Sequence, residues 1–329
     1  MDRRIVQAAL DDQDPLVVIR NLVPFAAACG TVGMRPVHKL PQGTVYIGGH
    51  IDSGGFNRVS RAEWHPATGG APTAAVARLM LRNPQRSPKT ARMWLTETAL
   101  HAILSTLTPA VPRLLAPLKI ARPDGCGYRL GTVTEMVNGK TFYDMLQEGR
   151  LNNVEALSVL ASVFRVLSEL GRAAQFVHRD LRADNVVVKK TKAGTHAAGD
   201  VTYPSHGLDV SLIDFGLSRL VDPTSGKTLS CDTERMVRGC STPRVDVAMI
   251  LFTIFEDCYE ACAAACPAFY RLVNDMARPC ALEIKRQVKG YDLLNEDDKQ
   301  MAFQNTVYDA ELAPEYEPSA ALLRITEAL

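Results

Sequence analysis

Phe176-Val177-His178-Arg179-Asp180-Leu181-Arg182-Ala183-Asp184-Asn185-Val186-Val187-Val188 and, further on, Val210-Ser211-Leu212-Ile213-Asp214-Phe215-Gly216-Leu217 decide how this chain is read. In the first run an Asp and an Asn stand five residues apart, just before an apolar, strand-like triplet. In the second an Asp follows a strand-like run and precedes a flexible Gly. Two carboxylates and a carboxamide on adjacent loops can hold a hard divalent cation and orient a hydroxyl. Mg²⁺ takes oxygen ligands, typically one or two carboxylates together with phosphate oxygens.

Either side of these runs the hydrophobic periodicity changes. Upstream, Thr44–Ile51, Val59–Trp64, Ala75–Leu81 and Tyr128–Met136 read as strands, and His65–Thr73 as a turn. Pro88–Leu107 reads as a helix, with Leu95, Ala99, Ile103 and Leu107 at helical spacing. From Asn138 the pattern is mainly helical. Thr141 caps a short helix ended by Gly149, and Asn152 with Glu155 caps a longer one closed by Gly171. Residues 1–45 read as an N-terminal extension of uncertain structure.

Composition narrows the classes. Lys+Arg 37 against Asp+Glu 36 leaves a net charge of +1, so there is no electrostatic footprint for nucleic acid or an anionic membrane. A 47% hydrophobic content over 329 residues is that of a globular chain with room for two lobes. The longest apolar stretch, Val247–Phe255, is about half of the roughly 20 residues a membrane span needs. The N-terminus lacks the apolar run of a signal peptide, so the eight cysteines are expected to be reduced thiols of an intracellular protein, in cytoplasm or nucleus.

The order of the two motifs resembles the protein kinases: His-Arg-Asp with Asn five residues later, then Asp-Phe-Gly. The resemblance implies an α+β bilobal fold, with a β-rich N-lobe carrying one main helix (46–137) and a mainly helical C-lobe (138–329). It implies ATP and Mg²⁺, with Mn²⁺ as a possible substitute, and a protein hydroxyl as acceptor. Asp180 would accept the hydroxyl proton, Arg182 would stabilise the transferred phosphoryl group, and Asn185 and Asp214 would hold the metal.

Carried upstream, the same resemblance makes Ile51-Asp52-Ser53-Gly54-Gly55-Phe56-Asn57-Arg58-Val59 the phosphate-covering loop. Ile51 and Val59 would sandwich the base, and Gly54 and Gly55 would let the backbone approach the phosphates. Asp52 and Asn57 replace two of the family's glycines. Val76 and Arg78 would face the nucleotide, with Arg78 in the usual lysine position and Glu97, nineteen residues on, as its partner. Thr134 would be the gatekeeper, with backbone groups of Glu135 and Val137 bonding the base. Asp246 would brace the catalytic loop.

Asp180 and Asp214 lie 34 residues apart, and the polar segment 189–208 between them reads as a long loop. That spacing, with the absence of an Ala-Pro-Glu triplet, resembles the haspin-type branch over about 176–250, although Phe215-Gly216 is retained. Leu217 favours serine/threonine specificity, again by resemblance. Thr224, Ser225, Thr228, Ser230 and Thr233 could accept phosphate, but a solvated turn is the plainer reading. The shortened C-terminal part hints at a diverged or viral enzyme. Two other readings accompany the active kinase: a pseudokinase, motivated by Arg78 and Asp52, and a small-molecule kinase on the same fold. Substrate and oligomeric state are not written in the sequence. Cys258, Cys262 and Cys266 recur every four residues, spanning roughly 12 Å of helix, too far apart to converge on one metal.

Overall fold

The computed structural model describes residues 3–32, 35–53, 57–82, 84–122, 125, 127–231, 242–289, 291, 298–299, 302, 306 and 312–329. The chain divides into two compact units: Met1–Val137 with Lys227–Cys231, and Asn138–Gly226 with Asp232–Leu329.

The first unit begins with two helices, α1 (Arg3–Leu10) and α2 (Pro15–Leu22). Asp14 caps α2 by accepting the Leu16 N–H at 2.8 Å, and Pro15 occupies the first turn, where its missing N–H costs nothing. Strands β1 (Ala27–Val32), β2 (Arg35–Leu40), β3 (Gly43–Ser53), β4 (Asn57–Pro66) and β5 (Thr73–Met80) follow, then helix α3 (Pro88–Leu107) and strands β6 (Leu114–Ala121) and β7 (Tyr128–Glu135). Among the described residues they form a seven-stranded antiparallel sheet in the order β1-β2-β3-β4-β5-β7-β6. The sheet curls until its edges meet, where the Ala26 N–H donates to the Lys119 carbonyl at 2.8 Å. Leu40, Val45, Ile47, Trp64, Ala75, Ala77, Leu118 and Val133 pack inside this curl.

Residues 1–45, expected as an extension of uncertain structure, are therefore part of this unit. Ile5, Ala8, Val18, Ile19 and Val23 join Ala91, Trp94 and Leu95 of α3 and Leu130 of β7 in a second core. Lys119 fastens it: its buried Nζ donates to the carbonyls of Ile19 (3.1 Å) and Val23 (3.2 Å) at the end of α2, over the rings of Phe25 and Tyr128. Burial depresses the Lys119 pKa, as it must for a cation held out of water. Lys119→Met is expected to lower unfolding stability by about 1–3 kcal/mol, the cost of leaving buried carbonyls without donors. Chemical denaturation measures it.

The strand β6 has no counterpart among the expected strands. Pro117 sits inside it and the register slips between Leu114 and Ala116, and both weaken the pattern by which a strand is recognised.

The second unit opens with β8 (Gly139–Thr141), α4 (Phe142–Gln147) and α5 (Asn153–Ala174). Thr141 and Asn152 cap α4 and α5 as expected, the latter in a full capping box with Glu155. Gly171 does not close α5. The helix runs to Ala174 and is stopped by Gln175 in the left-handed region (φ 45°). A Cβ added at Gly171 would meet Pro243 Cγ at 3.4 Å, an ordinary contact, so this helical glycine neither ends the helix nor is demanded by packing.

Strands β9 (Val186–Lys190) and β12 (Leu208–Leu212) pair with β8 in the order β12-β9-β8. The segment between them is not a loop: β10 (Thr195–Ala198) and β11 (Val201–Pro204) form an antiparallel hairpin turning at Gly199 (φ 61°) and Asp200. Tyr203 donates to Ser162 Oγ (3.2 Å), and Ser158 Oγ donates to the Pro204 carbonyl (2.6 Å), pinning the hairpin to α5. Strand β13 (Arg219–Val221), helices α6 (Arg244–Asp257), α7 (Tyr259–Ala265) and α8 (Pro267–Gln287) and the C-terminal helix Pro318–Thr326 complete the unit.

Cys258, Cys262 and Cys266 do not share one helix. Cys262 lies within α7, while Cys258 and Cys266 occupy its two ends, and all three are buried. Among the described residues no group of three His, Cys, Asp or Glu side chains could hold a metal ion, and no helix is long and apolar enough to cross a membrane.

Candidate active site

The residues of the two motifs converge inside the second unit. Val177 and Arg219 exchange backbone hydrogen bonds of 2.9 and 2.8 Å, which ties the start of the first motif to the exit of the second. His178 is fully buried among Phe176 and Phe215, with ring centroids 5.5–6.2 Å apart. Its Nε2 lies 3.0 Å from the Ile213 carbonyl, so Nε2 carries the proton and donates, and burial depresses the imidazole pKa and keeps it neutral. His178 is thus a strut between the two motifs.

Asp246, in the first turn of α6, is wholly buried and receives two backbone N–H groups: His178 N to Oδ2 and Arg179 N to Oδ1, each 2.7 Å. Burial pushes this carboxyl up to about 7, while the two N–H donors and Arg179 pull it back. The turn so held is strained. Arg179 has φ 66° and Asp214 φ 62°, both in the left-handed region that side chains other than glycine avoid.

Asp180 follows directly. Asn185, closing the one-turn helix Ala183–Asn185, donates its Nδ2 to the Asp180 carbonyl at 2.7 Å, and Asp180 Oδ2 lies 3.5 Å from the same nitrogen. The Asn185 carbonyl in turn accepts the Ile213 N–H at 3.0 Å, setting the backbone one residue before Asp214. Asp214 Oδ1 accepts the Gly216 N–H at 3.3 Å. Burial, then the negative charge of Asp214, push Asp180 up to about 7, with Arg182 and the Asn185 hydrogen bond acting the other way. A carboxylate poised near neutrality suits a general base.

Arg182 is held by two acids, Asp184 (3.4 Å) and Asp257 (3.6 Å). Neither partner was singled out from the sequence. Asp184 is two residues away and could have been, whereas Asp257 reaches the site only through tertiary packing of α6. Beyond the motif, Asp222 Oδ2 accepts both the N–H (2.8 Å) and the hydroxyl (2.6 Å) of Ser225, making a closed turn of that candidate phosphoacceptor.

In the first unit, register aligns the remaining candidates. Val59 pairs with Arg78 and Arg78 with Thr132, while Val76 pairs with Thr134, so these side chains line one face of the sheet. Ala75, Ala77 and Val133 take the other, fully buried face. Arg78 forms an ion pair with Glu97 of α3, both about a quarter exposed. Glu135 donates its N–H to the Arg113 carbonyl at 2.9 Å and pairs its carboxylate with Arg113. Val137 is the last residue before the chain enters the second unit. Ile51, two residues before the end of β3, is exposed and sits at a register shift between His50 and Asp52. Gly54 and Gly55, with Thr233 and Gly239, lie outside the described residues.

Comparison with known proteins adds an independent line. A family model described as protein tyrosine and serine/threonine kinase matches residues 45–243, more than half of the chain. The chain is 31% identical over 98 residues to the serine/threonine-protein kinase pkn2 of Myxococcus xanthus, covering 30% of this chain and 10% of that protein. It is 30% identical over 128 residues to the neither inactivation nor afterpotential protein C of Drosophila melanogaster, covering 37% of this chain and 7% of that protein. The matched segments therefore span a tenth or less of either relative. The crystal structure of the BubR1 kinase domain aligns over 65% of this chain and 60% of that chain, at 12% identity and a TM-score of 0.43.

Proposed function

Because the chain belongs to the protein tyrosine and serine/threonine kinase family, we propose that it is an active protein kinase, transferring the γ-phosphoryl group of ATP to a serine or threonine hydroxyl of a protein. The observation that carries this reading is the linkage of Asp180, Asn185 and Asp214. Asn185 bonds the first through its side-chain amide and sets the backbone before the third through its main-chain carbonyl.

The donor set fits a hard cation. Asn185 turns its N–H₂ toward Asp180, which leaves its side-chain oxygen, with the Asp214 carboxylate, as the oxygen ligands expected for Mg²⁺ or Mn²⁺. MgATP, when bound, supplies an activated phosphoryl group whose charge the metal neutralises. The protein does the rest by positioning. Asp180 accepts the acceptor hydroxyl's proton, and Arg78, fixed by Glu97, offers a fork of N–H donors to phosphate oxygens. The serine/threonine preference rests on Leu217 and on the name of the bacterial relative. The haspin-type branch rests on the long Asp180–Asp214 spacing, which the β10–β11 hairpin fills.

A pseudokinase is the second reading, favoured by Arg78 in the usual lysine position and by the two acids that offset the charge of Arg182. Radiolabelled ATP with Mg²⁺, wild type beside Asp180→Asn, against generic basic proteins and the chain itself, separates the two. Arg78→Ala is expected to lower kcat/KM for ATP about 10- to 100-fold, the size of a lost charge-assisted hydrogen bond or two. ATP binding without turnover, not restored by Arg78→Lys, establishes the pseudokinase instead.

A further inference from the structure

Residues 227–231 belong to the first unit although the chain on either side belongs to the second. What holds them there is acidic. Asp11, just past the end of α1, accepts from Lys227 Nζ at 2.6 Å, and this bond depresses the Asp11 pKa. Its neighbour Asp12, with φ 52° in the left-handed region, pairs with Arg92 in the first turns of α3. One bend after α1 thus grips both the segment downstream of Asp214 and the helix that carries Glu97.

The apolar contacts point the same way. Ile5, Ala8, Val18 and Ile19 of α1 and α2 pack on Ala91, Trp94 and Leu95 of α3, and Trp94 Nε1 donates to the Gly131 carbonyl of β7 at 3.1 Å. Leu229 is buried, directly after the exposed Lys227 and Thr228. Helix α3 is therefore clamped to the sheet on one side and to α1 and α2 on the other, one turn from the Arg78–Glu97 pair.

We infer that α1 and α2 are a built-in brace, in which Asp11 and Asp12 act as positioning residues that seat the 227–231 segment and α3 so that phosphotransfer needs no phosphate on that segment. A phosphate would bring negative charge to such a segment, to be met by cations. Here the segment presents a cation and the brace supplies the carboxylates. Phosphate on Thr228 would compete for Lys227 and repel Asp11.

The inference rests on the kinase reading, and the experiment keeps the two apart. Full-length wild type, Asp11→Lys, Lys227→Asp and the Asp11→Lys/Lys227→Asp exchange are compared by steady-state kinetics and by amide hydrogen exchange of residues 88–97 and 227–231. Asp11→Lys is expected to lower kcat about fivefold, the scale of a partly exposed ion pair, with KM for ATP unchanged and faster exchange in both segments. The double exchange should return both readouts to wild type. Phosphatase-treated wild type, shown by mass spectrometry to carry no phosphate on 222–231, should keep its full kcat. Unaltered kcat and exchange in Asp11→Lys, no recovery in the double variant, or loss of activity on dephosphorylation each overturn the inference. A wild type that transfers no phosphate overturns the functional reading and the phosphate-free claim, while the exchange rates still decide whether the brace exists.

Discussion

Asp180→Ala will lower phosphate transfer by about 10²–10⁴-fold while leaving the protein folded. The two halves of this expectation come from different atoms. The lost carboxylate is the proposed acceptor of the hydroxyl proton, and burial raises it to about 7, a value that suits that role. What Asn185 bonds most closely at residue 180 is the backbone carbonyl, at 2.7 Å, and alanine retains it. Removing a carboxyl whose pKa is raised by burial relieves an unfavourable charge at neutral pH, so the melting temperature should hold or rise. Asp214→Asn should match the loss of activity by removing the charged ligand proposed for the metal. Residual transfer within tenfold of wild type in either variant refutes the assignment. Quantitative ³²P incorporation beside a thermal melt reads both halves.

Asp246→Ala is expected to do the opposite to the fold. Both carboxylate oxygens are occupied by buried backbone N–H groups at 2.7 Å, and no water reaches a side chain that is 0% exposed. Truncation leaves the His178 and Arg179 donors unpaired at about 1–3 kcal/mol each, a total near 2–6 kcal/mol. It also frees Arg179 to leave its left-handed conformation, which shifts Asp180 next to it. Asp246→Asn should be intermediate, since one amide oxygen can still accept but the NH₂ group meets a donor. Urea unfolding midpoints and activity should fall together, in the order wild type, Asn, Ala. An Asp246→Ala protein of unchanged stability would show that the two hydrogen bonds contribute nothing.

Much of this arrangement was legible beforehand, and the reason differs by element. The 88–107 helix and the β3, β4, β5 and β7 strands announce themselves by period, and the caps Thr141 and Asn152 by hydrogen-bonding chemistry. The pairing of Arg78 with Glu97 is what the kinase resemblance implies, while the alternation of β5 sets Arg78 on the same face as Val76. What escaped was mostly tertiary. Strand β6 hides behind Pro117, and α5 overruns Gly171 to end at Gln175, which takes the left-handed cap conformation instead. The 195–204 hairpin did carry a signal, the two-residue Gly199-Asp200 turn between Thr195–Ala198 and Val201–Pro204, which polar composition obscured. Asp14-Pro15 likewise marks the start of α2. The Arg182–Asp257 and Lys227–Asp11 pairs join residues far apart in sequence, and no local pattern could have linked them.

The span of the Asp246 brace has a bearing on biosynthesis. Its hydrogen bonds reach back 67 and 68 residues. During translation at about 5–20 residues per second, Asp180 emerges roughly 3–13 s before the carboxylate that fixes its backbone. The turn around Arg179 lacks its carboxylate acceptor in that interval, so a ribosome-bound chain holds both motifs before the contact that fixes the backbone beside Asp180. The contact between Asp246 and the His178–Arg179 backbone thus forms only once α6 has been made.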